Sequence, residues 1–168
     1  TNLQREVQYT QILGRAIVDS FHRNNIVLSS HLVAYACFKI LEKQNTDLDL
    51  YGLLRVPTED YIFPRTIVRD TVLQLQTVLL DMEKKQQIKL SDMVRGEIDT
   101  IIKDGIYRLS NFQGAKPLKI MNNDDIVSES FKLLFFYHNR LENYDLDKQI
   151  KWAKKYKMEQ VVATEEEE

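Results

Sequence analysis

The chain has 168 residues, of which 43% are hydrophobic and 29% are charged, with a formal net charge of −2. This composition fits a globular domain with one substantial core and excludes a chain that is disordered over most of its length. The near-balanced charge argues against a nucleic-acid-binding protein, because such proteins usually carry a strongly basic surface.

Hydrophobic periodicity predicts two helices in the first quarter of the chain. Apolar residues at four-residue steps predict a helix over about residues 2–23. A second helix is predicted over about 30–43, with either Ser29 or Ser30 as its cap. Because this second helix is apolar on all sides, we expect it in the centre of the core. Cys37 lies within it, where burial would leave the thiol inert.

The middle of the chain predicts two further helices. Pro64 suits the first turn of a helix, and apolar residues then repeat at three- and four-residue steps as far as Lys84. The next helix is predicted over about residues 91–110, with Gly96 and Gly105 as weak points. These helices would supply most of the remaining core.

The last part of the chain predicts a hairpin followed by two helices. Residues 117–120 read Pro-Leu-Lys-Ile and residues 126–127 read Ile-Val, and the Asn-Asn-Asp-Asp run between them is typical of the turn of a short hairpin. Ser128 is predicted to cap the following helix, and a last helix is predicted over about residues 147–161. The predicted fold class is therefore mainly α, a helical bundle-like domain with one small β hairpin.

The predicted domain organisation is a helical domain over residues 1–146 and a C-terminal helix with an acidic tail over 147–168. The chain starts without Met and without a signal-peptide pattern, so we expect a segment of a longer polypeptide. It has no stretch of about 18 apolar residues that could cross a bilayer. A single cysteine suits a reducing, cytoplasmic compartment.

No pattern in the sequence predicts a metal ion, a cofactor or a catalytic residue. The three histidines, His22, His31 and His138, are widely spaced and form no His-Glu-x-x-His motif. A Gly-x-Ser-x-Gly nucleophile elbow and a Gly-rich phosphate loop are also absent from the sequence. A Ser-His-Asp arrangement stays open, since its members need not be adjacent in sequence.

The run Tyr137, His138, Asn139 and Arg140 is the candidate structural or interaction site. A helix this rich in aromatic residues should be buried on most sides, so its polar groups need partners. We expect Asn139 to cap or bridge neighbouring backbone and Arg140 to pair with an acidic side chain. The alternative is that both side chains point into solvent from a narrow polar face.

The predicted C-terminal helix carries a second candidate surface. On a helix that starts near Asp147, Trp152 lies opposite Ile150 with Lys148 and Lys155 near it. An indole flanked by lysines is typical of an interfacial membrane anchor, which predicts a peripheral contact through these three residues. The alternative is a solvated helix whose aromatic residues dock on the domain.

Two stretches carry a family resemblance. Residues 25–34 read Asn-Ile-Val-Leu-Ser-Ser-His-Leu-Val-Ala, and residues 133–141 read Leu-Leu-Phe-Phe-Tyr-His-Asn-Arg-Leu. With residues 50–55 between them, they resemble the C-terminal region of bacterial glycerol-3-phosphate and 1-acylglycerol-3-phosphate acyltransferase-like proteins. The resemblance covers about residues 11–146.

The resemblance implies a transferase of phospholipid biosynthesis. Its parent would move an acyl group from a thioester to glycerol phosphate or lysophosphatidate, in the cytoplasm and peripherally at the inner face of the membrane. The family's catalytic His-x-x-x-x-Asp motif is missing, because Val27, Ala36 and Asn143 stand five places after the three histidines. This chain would therefore be a non-catalytic C-terminal domain, inactive alone, whose partner is the catalytic domain of the same polypeptide.

The alternative function is a free-standing helical protein-interaction module. Helices followed by a hairpin suggest a winged-helix-like arrangement. Nucleic acid is not a predicted partner in either case, because the net charge is negative and the 91–110 helix sets its basic residues against Asp99 and Asp104.

Overall fold

The computed structural model describes residues 1–24, 26–56, 61–110 and 114–156, without the side chains of residues 14–24. This part of the chain is mainly helical with a small antiparallel three-stranded sheet, so the predicted fold class is confirmed. The helices are α1 (Asn2–Asn24), α2 (Ser29–Gln44), α3 (Leu50–Leu53), α4 (Arg65–Lys84), α5 (Ile98–Leu109) and α6 (Phe131–Glu142). The strands are β1 (Ile26–Val27), β2 (Ile62–Phe63), β3 (Lys89–Leu90), β4 (Lys119–Ile120) and β5 (Ile126–Val127). No helix among these residues is long and apolar enough to cross a membrane.

Helix α2 is the central element of the core, as its apolar sequence predicts. It packs against α4, α5 and α6, and every residue from Leu32 to Leu41 is buried. Surface on all sides of α2 is thus removed from water, and its apolar side chains fill the space between three neighbours. Cys37 is fully buried among them, and burial raises the pKa of its thiol far above the ordinary range.

The predicted helix over 91–110 is interrupted at Gly96. A 3₁₀ turn spans Asp92–Arg95, and α5 begins only at Ile98. The Gln76 side chain donates to the carbonyl oxygens of Val94 and Gly96, at 2.9 and 2.8 Å. These two bonds satisfy carbonyl groups that a continuous helix would have used, so a buried amide from α4 stabilises the break.

The interpretation of Gly105 as a weak point is wrong. Gly105 lies in the middle of α5 and is buried. A Cβ atom at this position would lie 2.7 Å from Cγ2 of Val33 and 2.8 Å from the carbonyl oxygen of Ser29. The glycine therefore lets the backbones of α5 and α2 approach closely, which compensates for its poor helix propensity.

The predicted hairpin forms, and it belongs to a larger sheet. Strands β4 and β5 pair antiparallel, and β2 pairs with the other edge of β5, which gives the order β2-β5-β4. A separate parallel pair joins β1 to β3. Both additional pairings bring together two-residue strands from distant parts of the chain.

Helix α6 begins two residues later than predicted. Its cap is Ser130, whose hydroxyl accepts from the amide of Leu133 at 3.3 Å. The predicted cap, Ser128, accepts instead from the amide of Ser130. Ser128 thus follows the end of β5 and binds the amide of Ser130, and Ser130 in turn caps α6.

Candidate functional site

The structure divides the run Tyr137–Arg140 between the core and the surface. His138 is buried, Tyr137 and Arg140 are half-buried, and Asn139 is exposed. Asn139 shares the outer face of α6 with Phe136, which is 67% exposed. A hydrogen bond from Asn139 that caps or bridges neighbouring backbone stays a prediction. The positive charge of Arg140 contributes to a lowered pKa of His31, and the guanidinium of Arg140 is hydrogen-bonded to the Tyr144 side chain. An acidic partner of Arg140 stays a prediction.

His138 fastens α6 to α2. Its ring stacks on Phe38 with the centroids 4.0 Å apart and an interplanar angle of 25°. Nε2 lies 3.1 Å from Oε2 of Glu142, and Nδ1 makes a short hydrogen bond with the carbonyl oxygen of Phe135. Burial lowers the pKa of His138 despite these two acceptors. With both ring nitrogens engaged, the geometry gives His138 a structural role.

Lys39 is a central residue that the sequence analysis missed. Its side chain is only 4% exposed, and Nζ lies 2.8 Å from Oε1 of Glu142 and 3.3 Å from Oε1 of Glu42. Burial alone would lower the pKa of Lys39, but the hydrogen bond to Glu142 and the charge of Glu42 outweigh it and raise the pKa. Lys39, Glu142, Glu42 and His138 thus form one polar cluster at the α2–α6 interface. The available signal was a single lysine within the otherwise apolar run of residues 32–41.

His31 supplies the cap that we predicted for Ser29 or Ser30. Helix α2 starts at Ser29, after Leu28 as N-cap, and both serines lie inside the first turn. Nδ1 of His31 accepts from the amide of Leu28 at 3.1 Å, which closes this end of the helix. Burial, assisted by the charge of Arg140, lowers the pKa of His31 to about 4.

This cap predicts a loss of stability in mild acid. The unfolded chain binds a proton on His31 near pH 6.5, whereas the folded chain resists it down to about pH 4. The unfolded state therefore takes up more protons in this window, and we expect the free energy of unfolding to fall by about 2 kcal/mol between pH 7 and pH 5. Urea titrations at the two pH values measure this difference.

The matched control is His31→Gln. Its side-chain oxygen accepts from an amide without titrating, so the pH dependence should become shallower. Titration of His138 acts in the same direction in both proteins and cancels in the comparison. Equal pH dependence in the two proteins would show that His31 does not control stability in acid.

The first turn of α2 is also fastened to α5. The hydroxyl of Ser29 makes a short hydrogen bond with Oδ2 of Asp104, which accepts from Nε of Arg108 at 2.8 Å. Burial alone would raise the pKa of Asp104, but the bonds from Ser29 and Arg108 outweigh it and lower the pKa. Because the Ser29 hydroxyl donates to a carboxylate and is buried, we assign it a structural role.

The prediction of a C-terminal helix from Asp147 is wrong over its described part. A 3₁₀ turn spans Leu146–Gln149, and residues 150–156 have no regular secondary structure. Asp145 precedes the turn with a φ of 53°, a left-handed conformation that aspartate tolerates. The remainder of the predicted helix and the acidic tail lie outside the described residues.

The predicted membrane surface is therefore arranged differently. Lys148 and Lys155 are exposed, but Trp152 packs against the core. Its Nε1 donates to the carbonyl oxygen of Asp147 at 2.9 Å, and Nζ of Lys43 lies 5.8 Å from its ring centroid. The indole is thus engaged within the domain, so membrane contact through Lys148, Trp152 and Lys155 as one helical face does not fit this geometry.

Unlike Trp152, the apolar side chains in the first half of α1 are exposed to solvent. All of residues 1–13 are exposed, although they include several large apolar side chains. These side chains are Leu3, Val7, Tyr9, Ile12 and Leu13, with exposures between 46% and 71%. A helix with this much apolar surface in water is an unusual feature for an isolated soluble domain.

Comparison with known proteins assigns no family to this chain. No protein-family model, curated protein or solved structure matches the chain. Within the described residues, no group of three or more His, Cys, Asp and Glu side chains is placed to hold a metal ion. The functional argument therefore depends on the surfaces of the domain.

Proposed function

We propose that this chain is the non-catalytic C-terminal domain of a glycerolipid acyltransferase, and that it braces the catalytic domain of the same polypeptide. The observation that supports this proposal is the exposed apolar surface of residues 1–13 in α1. The helical part of this segment, residues 2–13, is marginally stable in water without packing. A partner that covers this segment would stabilise both the helix and the contact between this chain and the catalytic domain.

The distribution of the apolar residues favours a protein partner over a flat surface. At 100° per residue, Leu3, Val7, Tyr9, Ile12 and Leu13 span about 220° of the helix circumference. A membrane surface covers one side of a helix, whereas a groove between protein elements covers most of it. Gln4 and Gln11 lie on the remaining arc, where solvent would stay.

The chemistry of the parent follows from the resemblance. The parent would transfer an acyl group from a thioester to glycerol phosphate or to its 1-acyl derivative, with the general base outside this chain. Cytoplasmic location and peripheral contact with the inner face of the membrane belong to the same proposal, with exposed lysines such as Lys148 and Lys155 as the groups that anionic lipid would attract.

Hydrogen exchange tests the docking of α1. In the isolated chain, the amides of residues 3–13 should exchange rapidly, because no packing holds this part of the helix. In the longer polypeptide, the same amides should be protected by at least about tenfold. Equal exchange in the two proteins would show that no partner covers α1.

A second candidate function is a free-standing interaction module of winged-helix type. The observation that favours it is the sheet order β2-β5-β4, in which the strand before α4 joins the hairpin that follows α5. Helix α2, strand β2, helices α4 and α5 and the hairpin then occur in the order of a winged helix. This order of helices and strands describes the fold and does not identify a binding partner.

Charge on this module disfavours nucleic acid. Arg65 and Arg69 lie 3.6 and 3.3 Å from Oδ1 of Asp99, so an acidic residue on α5 offsets part of their positive charge. The hairpin loop carries Asp124 and Asp125, which would face a phosphate backbone if the loop approached a groove. We expect no salt-dependent binding to duplex DNA in a filter-binding titration, and a steep salt dependence would favour the second candidate in its DNA-binding form.

A further inference from the structure

Residues 150–156, called the strap below, are held by side-chain amides in place of helix or sheet bonds. Gln74 of α4 pairs with Lys151 in both directions. Its Oε1 accepts from the amide of Lys151 at 2.7 Å, and its Nε2 donates to the carbonyl oxygen of Lys151 at 3.0 Å. The Gln74 side chain thereby forms the two hydrogen bonds that a neighbouring β-strand would otherwise form with Lys151.

Gln44 at the end of α2 repeats this arrangement further along the strap. It is buried, and its Oε1 accepts from the amide of Tyr156 at 3.0 Å. Its Nε2 donates to the carbonyl oxygens of Ala153 and Lys154, at 3.4 and 3.3 Å. Two glutamines from different helices thus bind main-chain amide and carbonyl groups. Every amino acid except proline provides both groups.

The strap directs some of its side chains toward the domain and others into the solvent. Ile150 is buried, and Trp152 and Tyr156 are half-buried against the core. The hydroxyl of Tyr156 donates to the carbonyl oxygen of Ile62 at 3.1 Å. Lys151, Lys154 and Lys155 are exposed. Main-chain recognition combined with a few inward side chains is the pattern by which proteins bind extended peptides.

We propose that Gln44, Gln74 and the Ile62 carbonyl form a recognition groove for an extended peptide, and that the strap occupies it as a displaceable ligand of the same chain. The ligand class is an extended segment with an aromatic residue at the Trp152 position and a tyrosine four residues later. This inference stands apart from the proposed function, because it uses no contact of α1 and no acyl chemistry.

The contacts of the strap favour local release over global unfolding. Its described hydrogen bonds to the rest of the chain end on the side chains of Gln44, Gln74 and Tyr61 and on the carbonyl oxygens of Asp147 and Ile62. The strap takes part in no described sheet ladder. Release of residues 151–156, with the buried Ile150 remaining in place, would therefore leave the helical core intact. The tether keeps the strap at a high effective concentration, so a free peptide competes only when the strap is weakened.

The test uses the intact chain with Tyr156→Ala, which weakens the strap and leaves both glutamines in place. The probe is a fluorescein-labelled peptide with the sequence of residues 148–156 and Trp152 replaced by phenylalanine. We expect it to bind Tyr156→Ala at least about tenfold more tightly than the unchanged chain. The emission of Trp152, the single tryptophan of the chain, should report displacement. Lys154→Ala, a change at an exposed strap residue, should behave as the unchanged chain.

A second peptide separates main-chain recognition from attraction between charges. N-methylation at the positions of Lys151 and Tyr156 removes the two amides that donate to Gln74 and Gln44, and it should weaken binding by at least about tenfold. Equal binding of the methylated peptide, or no binding to Tyr156→Ala, would overturn the proposal.

Hydrogen exchange on the unchanged chain gives an answer even if Tyr156→Ala fails to fold. The amides of Lys151 and Tyr156 should exchange faster than the amides of α2, since the strap opens without unfolding the core. Exchange of all these amides at one common global rate would show that the strap is an integral part of the fold and would overturn its displaceability.

Discussion

Replacing Gly105 by alanine should lower the free energy of unfolding by about 2 kcal/mol. The new Cβ atom would lie 2.7 Å from Cγ2 of Val33 and 2.8 Å from the carbonyl oxygen of Ser29. The Val33 side chain can rotate, but the backbone of α2 cannot move without disturbing the core around it. Alanine gains about 1 kcal/mol in helix propensity, and the overpacking exceeds this gain. Urea denaturation measures the difference.

Gly96→Ala is the matched control for Gly105. At position 96 the nearest atom to an added Cβ is the carbonyl oxygen of Met93 at 3.3 Å. The φ of Gly96 is −84°, which alanine adopts readily. We expect a change within about 0.5 kcal/mol. Similar losses in the two variants would contradict the close approach of α5 to α2.

Glu142→Ala should cost about 2–3 kcal/mol by leaving Lys39 without its nearest carboxylate. Lys39 is 4% exposed, and its Nζ lies 2.8 Å from Glu142 but 3.3 Å from Glu42. Breaking a buried ion pair on one side leaves an undercompensated charge, although Glu42 reduces the loss here. The raised pKa of Lys39 means that its contribution is present at neutral pH and is lost only as the pH rises through that raised value.

Two comparisons isolate this effect by thermal or urea unfolding. Adding Lys39→Met to Glu142→Ala should restore most of the stability, because methionine fills the space without a charge. Asp81→Ala removes an exposed ion pair with Lys85 and should change stability by less than about 1 kcal/mol. A double variant as unstable as Glu142→Ala alone would show that lost packing, and not the charge of Lys39, causes the loss.

Local patterns made the main helices predictable. Helix α2 follows from a continuous apolar run, and α4 follows from Pro64 and regular apolar spacing. The hairpin follows from its Asn-Asp turn. The pairing of β2 with β5 was unpredictable, because two residues carry too little periodicity and the register is set by tertiary contacts. Lys39 was missed because its partner Glu142 is distant in sequence.

The C-terminal segment shows how a helical pattern can mislead. Ile150, Ala153 and Tyr156 follow helical spacing, yet residues 151–156 form no helix. Gln44 and Gln74 supply the hydrogen bonds that a helix would have formed within itself. Such substitution depends on side chains far away in sequence, so propensity alone could not reveal it.

Acyl transfer by the full-length polypeptide tests the central claim most directly. Leu3→Glu with Ile12→Glu places two charges on the apolar arc of α1, whereas Gln4→Glu with Gln11→Glu places the same charges on the polar arc. With an acyl thioester and glycerol 3-phosphate as substrates, we predict that the first pair lowers the rate by at least about tenfold and the second by less than about twofold, since only the first would bury charge in the proposed interface. The 168-residue chain alone should transfer no acyl group. Turnover by the chain alone, equal rates for the two pairs, or a full-length polypeptide without acyl transfer would contradict the account.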